Sequence, residues 1–265
     1  MKKLFLLLTL VSLIACKQTT ETKNETEKAT TEVQEVKPVT KTYPENISKV
    51  FEAHGGLDTW NTFKFLEFTM KKPTGNEVTT TDLNSRKSLI DMPNHTLGYN
   101  GKDVWLHAKD TATYKGNAKF YYNLMFYFYA MPFILADDGI VYTDVEPLVF
   151  EGKSYPGINI SYNAGVGESP EDEYILYYDS ETNKMAWLSY TVTYFTKAKS
   201  KEFHYIKYSN WQTINNVLLP ETLTWYESEN NVPTTKRNDL MFTNIKLTTS
   251  KPKAELFEAP EGARL

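Results

Sequence analysis

Residues 184–227 read KMAWLSYTVTYFTKAKSKEFHYIKYSNWQTINNVLLPETLTWYE. Apolar and polar side chains alternate here with a period of two, the mark of half-buried strands. In an expected strand over 184–196, Leu188, Tyr190, Val192 and Tyr194 share one face. In another over 217–227, Val217, Leu219, Leu223 and Trp225 do the same. A third over 202–214 lies between them, and Asn215-Asn216 supplies the tight turn. Long strands joined by such short turns pair antiparallel.

The same period recurs on both sides. Residues 63–71, 77–83, 86–92, 95–100 and 102–107 read as strands, and so do 148–151, 157–163, 173–179 and 239–248. Asn100-Gly101 is a strong hairpin signal. Centred there, the hairpin sets Leu106 opposite His95, so His95 and His107 point to opposite sides. Residues 179–183, DSETN, form another turn. Ahead of the strands, Ile47, Val50, Phe51 and His54 recur at helical spacing within 44–54, and Gly55-Gly56 stops that helix. A second short helix is expected over 57–62. About eleven strands joined mainly by short turns make an antiparallel sheet too wide to stay flat. An open or closed barrel is the expected outcome.

The N-terminus points to export. Met1-Lys2-Lys3 is a basic start, and residues 4–15 are uncharged and rich in leucine. That run is too short to span a bilayer, which takes about 20 residues, but it fits the apolar region of a signal peptide. It ends in Leu13-Ile14-Ala15-Cys16, which resembles a bacterial lipobox, and Cys16 is the only cysteine in the chain. The resemblance implies a diacylglyceryl group on the Cys16 sulfur, cleavage before it, and acylation of the new N-terminus. Several acyl chains hold a protein stably to a membrane where one does so only marginally. Residues 1–15 are therefore expected to be a signal peptide and 16–42 a lipidated, disordered tether. The segment 17–42 is rich in Thr, Glu and Lys and holds no aromatic residue, so it has too little apolar surface to offset ordering. Residues 43–265 are expected to form one domain. The expected location is the envelope of a Gram-negative cell, on the outer membrane.

Composition excludes several classes. The 265 residues carry 29 Lys+Arg and 33 Asp+Glu, a net charge of −4. No basic stripe points to nucleic acid. One cysteine rules out a disulfide framework and a cysteine-rich metal site. Aromatic residues reach 14%, with 18 tyrosines, which suits β structure with much ring surface to bury or offer.

The densest aromatic stretch is 120–136, FYYNLMFYFYAMPFILA, with no charge. Apolar groups occupy every helical face, which suits burial. Pro132 is expected to break or kink it, and Asp137-Asp138-Gly139 ends it. Three uses compete: a core helix packed on the sheet, a lid over a barrel mouth, or a membrane-inserting segment. Four Tyr hydroxyls, Asn123 and the central proline suit lipid poorly.

No catalytic motif stands out. His54, His95, His107 and His204 show no metal-binding spacing, and all four read as satisfied structural histidines. Gly152-Lys153-Ser154 ends like a phosphate-binding loop, but Pro147 occupies the place of its first glycine and the segment lies in a hairpin. Glu168, Glu171, Asp172 and Glu173 cluster in a loop and offer oxygen ligands of the kind Ca²⁺ takes, at no established spacing. A solvated acidic turn is the simpler reading. No cofactor is expected.

Several segments together resemble a known superfamily. They are Ala53-His54-Gly55-Gly56, Phe120-Tyr121-Tyr122-Asn123-Leu124, and Asp172-Glu173-Tyr174 through Trp187, with Cys16 ahead of them. The chain resembles an uncharacterised family of bacterial lipoproteins related to the LolA/LolB-like lipoprotein carriers. That resemblance implies an unclosed antiparallel β-barrel of about eleven strands with helices covering the concave side. It also implies a lipid or lipoprotein acyl chain as ligand, and no catalytic residue. Phe120, Tyr121, Leu124, Met125, Phe128, Met131 and Phe133 are the expected lining or lid of the ligand site. The expected partners are this ligand and the membrane that holds the N-terminal anchor, with no nucleic acid. Two other functions stay open: a structural or assembly lipoprotein that docks partners through exposed aromatic strands, and a hydrolase using Glu173 or Asp179 with a histidine near the barrel mouth.

Overall fold

A computed structural model describes residues 41–163 and 171–265. Residues 42–265 form one compact unit. Cys16, the rest of the expected leader and tether, and Glu168 lie outside the described residues. Helices α1 (Glu45–Ala53) and α2 (Leu57–Thr62) precede five strands, β1 (Phe65–Lys71), β2 (Glu77–Asp82), β3 (Ser88–Asp91), β4 (His95–Tyr99) and β5 (Val104–Ala108). Three short helices follow, α3 (Ala118–Tyr121), α4 (Leu124–Tyr129) and α5 (Met131–Ile134). Seven strands complete the chain: β6 (Ile140–Phe150), β7 (Lys153–Tyr162), β8 (Tyr174–Tyr178), β9 (Met185–Tyr190), β10 (His204–Ile214), β11 (Val217–Glu229) and β12 (Val232–Thr248). All twelve lie in one antiparallel sheet, in the order β5-β4-β3-β2-β1-β12-β11-β10-β9-β8-β7-β6. The β5 and β6 edges do not pair with each other, so this is an open barrel with its helices on the concave side. Twelve strands, rather than about eleven, carry it.

The helices close over the main core. Ile47, Val50 and Phe51 of α1, Trp60 of α2, and Met125, Phe126, Phe128, Tyr129, Met131, Phe133 and Ile134 of α4 and α5 pack on the sheet. They meet Leu66 and Phe68 of β1, Phe242 of β12, Leu219 and Leu223 of β11, and Ile158 and Ile160 of β7. A smaller cluster of Leu148, Phe150, Tyr177, Trp187 and Tyr205 packs separately. Among the described residues, the core and the strand pairings lie within 42–265. No helix among the described residues is long and apolar enough to cross a membrane.

The end of α1 explains Ala53-His54-Gly55-Gly56. The Gly56 N–H bonds the Phe51 carbonyl and the Gly55 N–H bonds that of Glu52, the two bonds of a Schellman cap. Gly55 has φ +106°, and a Cβ there would lie 2.3 Å from the Asn216 carbonyl oxygen. The Leu218 N–H also bonds the His54 carbonyl. The glycine thus stops the helix and lets it seat on the β10–β11 turn.

The turns match their residues. Asn215-Asn216, Asn230-Asn231 and Glu151-Gly152 each take two positive φ values between directly paired strands, the backbone of a type I′ hairpin. The 95–107 hairpin corrects the expected register. Its turn centres on Gly101-Lys102, so His95 faces Ala108 and Leu106 faces Leu97. Asn100 sits one place earlier and its side chain accepts from the Lys102 and Asp103 N–H groups, leaving Gly101 alone with positive φ. The shift is two residues, so His95 and His107 still lie on opposite faces.

Three expected boundaries move. The strand expected over 184–196 ends at Tyr190, and Val192 and Tyr194 are outside it. The sheet leaves off where the Thr191 N–H bonds the Glu173 carbonyl. β12 and β6 begin well before the stretches expected for them, and β11 ends two residues later. Residues 234–239 of β12 stand in solvent on both faces and are held extended by pairing with β11, whereas Ile140 and Tyr142 of β6 pack against the core with Val141 exposed between them. The aromatic stretch is three short helices. The break falls at Ala130, and Pro132 lies in the first turn of α5, where a missing N–H costs nothing.

Candidate functional site

A cavity of about 370 Å³ opens between the aromatic helices and one end of the sheet. Phe120, Leu124, Tyr127, Phe128, Met131 and Ile134 form its helical wall, and Ile140, Tyr162, Tyr174 and Tyr194 face them. Tyr122, Asn123, Asp137, Asp138 and Asp172 complete the lining. The size falls in the ordinary range of small-molecule sites, as does the mix of apolar wall and few polar groups.

The polar groups have identifiable surroundings. Asp172 accepts from the Thr193 N–H at 2.6 Å and the Thr193 hydroxyl at 2.7 Å. Burial raises its pKa, and those two bonds and Lys197 oppose the shift. Asp137 pairs with Arg86 at 2.7 Å, whose guanidinium also lies over the Phe126 ring. Burial pushes the Tyr162 and Tyr174 phenols well up, and nearby carboxylates push them further. Both therefore stay protonated and can donate a hydrogen bond at any physiological pH.

The aromatic helices are fastened at several points. The Tyr121 hydroxyl donates to Glu77 at 2.8 Å, and Lys72 pairs with the same carboxylate at 2.8 Å. The Tyr208 hydroxyl, fully buried, donates to the Phe128 carbonyl at 2.7 Å. The Ser88 hydroxyl donates to the Tyr122 carbonyl.

The seven residues picked from sequence divide into two groups. Phe120, Leu124, Phe128 and Met131 line the cavity. Tyr121 turns to Lys72 and Glu77, Met125 packs in the core, and Phe133 stacks on Trp60 at 4.3 Å with rings nearly parallel. Tyr162, Tyr174 and Tyr194 went unselected. The alternation Ile158, Ile160, Tyr162 would have placed Tyr162 on the core face. Tyr194 shared the alternation of Leu188, Tyr190 and Val192, but it lies beyond the end of β9 and reaches the cavity from a loop.

The residues weighed for other chemistry lie elsewhere. Asp179 shapes a turn, accepting from the Glu181 and Thr182 N–H groups. Its ion pair with Lys153 and these bonds lower its pKa to about 2. Glu171 pairs with Lys199 at 3.8 Å, and Glu173 bonds Thr191 through its backbone. Gly152-Lys153 lies at the β6–β7 turn. His54 departs from the expected satisfied state: Nδ1 donates to the Val50 carbonyl at 2.7 Å, but Nε2 is buried without a hydrogen-bond partner. Its neighbour is the edge of the Trp211 ring at 4.5 Å, and burial lowers its pKa to about 4. A wider cleft of about 570 Å³ lies beside α1 and β6. Its side chains largely answer one another, with Glu45 paired to Lys49 at 2.7 Å and Asn46 bonded to Asp144 at 2.6 Å.

Among solved structures the chain is similar to a LolA superfamily protein from Nitrosomonas europaea. They share 9% identity over 81% of this chain and 96% of that one, with a TM-score of 0.48. It is similar to a DUF1329 family protein from Desulfovibrio piger, at 11% identity over 80% and 95% of the two chains and a TM-score of 0.47. A putative outer membrane lipoprotein-sorting protein domain from Vibrio parahaemolyticus is 7% identical over 73% and 87%, with a TM-score of 0.40. None of the curated proteins matches the sequence. A family model does match, over residues 2–235, and its description is a family of unknown function, DUF6503. With most of its length under that match, this chain belongs to the DUF6503 family.

Proposed function

We propose that this protein is a membrane-anchored lipoprotein that binds a lipid or similar amphipathic ligand between its aromatic helices and the open end of the barrel. The single observation that carries the reading is the cavity. Its walls are phenyl, phenol, thioether and branched aliphatic groups, which offer apolar surface to a chain. The hydroxyls of Tyr162 and Tyr174 and the carboxylates at the lining suit a polar end. A ligand that buries one and hydrogen-bonds the other is amphipathic. Lipidation at Cys16 would hold the domain at the periplasmic face of the outer membrane, on a tether over residues 17–42.

The test uses residues 42–265 made in a bacterial periplasm and purified without detergent. Solvent extraction followed by mass spectrometry should recover one lipid or acylated species in stoichiometric amount. An empty extract that incubation with membrane lipids does not refill would refute the reading. Separately, the N-terminal peptide of the full chain, taken from the membrane fraction, should carry acyl groups on Cys16. A free thiol there removes the anchor.

A further inference from the structure

We propose that the ligand of this cavity carries a cationic head group, an amine or ammonium that sits among Asp172, Tyr162 and Tyr174 while its chain lies along the aromatic helices. The inference rests on the proposed lipid-binding reading and adds the charge of the head. The lining supplies the sign. The carboxylates of Asp137, Asp138 and Asp172 line the cavity, and no Lys, Arg or His among the described residues does. Asp172 has an oxygen to offer. Both of its hydrogen bonds, from the Thr193 N–H and hydroxyl, end on Oδ1, and Oδ2 accepts none from the described residues. Burial weighs on this carboxylate more than its partners relieve it, and raises its pKa. Tyr162 and Tyr174 are also underused. Both phenols are largely buried at the lining, and neither hydroxyl has a hydrogen-bond partner among the described residues.

The cations around the cavity do not fill this role. Arg86 is bound to Asp137 at 2.7 Å, and Lys199 pairs with Glu171. Lys197 lies over the Tyr194 ring at 4.2 Å, makes no ion pair with Asp172, and is the weakest influence on its pKa. Lys197 and Lys119 are exposed, where water and salt screen them. An anionic head would therefore enter against carboxylates with no lining cation to receive it. A cation meets three kinds of partner. They are the Asp172 Oδ2, the phenol oxygens, which accept as well as donate, and the ring faces, whose negative potential draws ammonium groups. Seven of the fifteen lining residues are aromatic, and the Tyr162 and Tyr174 rings meet edge to face at 6.1 Å. Ring and aliphatic walls suit an organic cation. No group of three acidic, His or Cys side chains among the described residues is placed to hold a metal ion.

The test photolabels the full chain in its membrane fraction. Three probes share one decyl chain bearing a diazirine and differ in the head: an amine, an alcohol or a carboxylate. Adducts on residues 120–134, mapped by mass spectrometry, report the cavity. Adducts elsewhere on the chain correct for the amount of each probe in the membrane. The amine should half-saturate the cavity labelling at a concentration on the order of 100-fold below the alcohol, and the carboxylate should not saturate it. Asp172→Asn keeps an oxygen for both Thr193 bonds and removes the charge. It should raise the half-saturating concentration of the amine about tenfold and leave that of the alcohol unchanged, which also shows that the cavity is intact. The wild-type ranking decides by itself. Equal labelling by the three heads, or a preference for the carboxylate, would overturn the cationic head and leave the amphipathic reading standing. Saturable labelling by none of them would overturn both. An amine preference that Asp172→Asn does not reduce would overturn the placement of the head at Asp172.

Discussion

Replacing Gly55 by alanine tests how α1 is seated. At φ +106° an L-residue is strained by about 1 to 2 kcal/mol whatever surrounds it. Here the added methyl would also lie 2.3 Å from the Asn216 carbonyl oxygen and 2.8 Å from the Val217 Cα. Both are backbone atoms in a two-residue hairpin turn, so neither can swing aside as a side chain would. The helix must move off the turn by about 1 Å. That weakens the Leu218 N–H bond to the His54 carbonyl and loosens Val50 and Phe51 in the core. A disturbed bond of about 1 kcal/mol and imperfect packing of about 1 kcal/mol bring the cost to about 3 to 4 kcal/mol. Gly152→Ala is the control. Its φ is +79°, but nothing lies within 4 Å of the added atom, so only the backbone strain remains, about 1 to 2 kcal/mol. For a domain of this size each kcal/mol moves the melting temperature by about 2 to 4 °C. Thermal unfolding of residues 42–265 should show Gly55→Ala falling about 6 to 16 °C and Gly152→Ala about 2 to 8 °C. Urea unfolding should reproduce the ranking. Equal losses in the two variants would show that φ alone matters and that the contact with the Asn216 carbonyl does not.

Leu124→Trp places a larger side chain in the cavity wall, and should cut recovered ligand about tenfold, a loss of about 1.4 kcal/mol in binding, while thermal melting stays close to wild type. Full occupancy in this variant would place the ligand elsewhere. Lys72→Met leaves the buried Glu77 carboxylate with only the Tyr121 hydroxyl, and should cost about 3 kcal/mol in urea unfolding; a loss below about 1 kcal/mol would show that the pair is dispensable. His54 is held neutral, its pKa lowered by burial from 6.5 to about 4. The unfolded chain then binds the extra proton first as pH falls, so stability is full above pH 6.5 and drains away toward pH 4 by about 3 kcal/mol. His54→Phe should flatten that part of the stability-versus-pH curve, and an unchanged slope would assign the acid loss to other groups.

Much of the fold was legible because burial on one face forces a period of two. Leu188 beside Tyr190, and Val217 beside Leu219, mark strands by that rule alone. The same rule failed at the start of Val232–Thr248, where residues 234–239 meet solvent on both sides and carry no alternation, and at Ile140–Phe150, where the apolar Val141 on the exposed face hides the inward side of Ile140 and Tyr142. The candidate site was legible only on its helical wall. Phe120, Leu124, Phe128 and Met131 belong to a stretch so aromatic that its burial was plain, yet nothing local separated them from Met125 and Phe133, which face the core instead. That choice depends on how three short helices lie on the sheet. Tyr194 was assigned to a strand, and reached the rim because the chain turned out of the sheet at Thr191.

Local chemistry is what the sequence determined by itself. Glycines end α1, paired asparagines make hairpins, and alternation makes strands, because backbone dihedrals and hydrophobic burial act over a few residues. Tertiary structure decided what depends on distant partners. It set the turn at Gly101-Lys102 and so the register of β4 with β5, and it placed Tyr162, Tyr174 and Tyr194 across a cavity from Phe128. Those outcomes follow from which surfaces meet after the chain has closed long loops, and residues 30 to 70 positions apart carry no mark of their contact until the sheet brings them together.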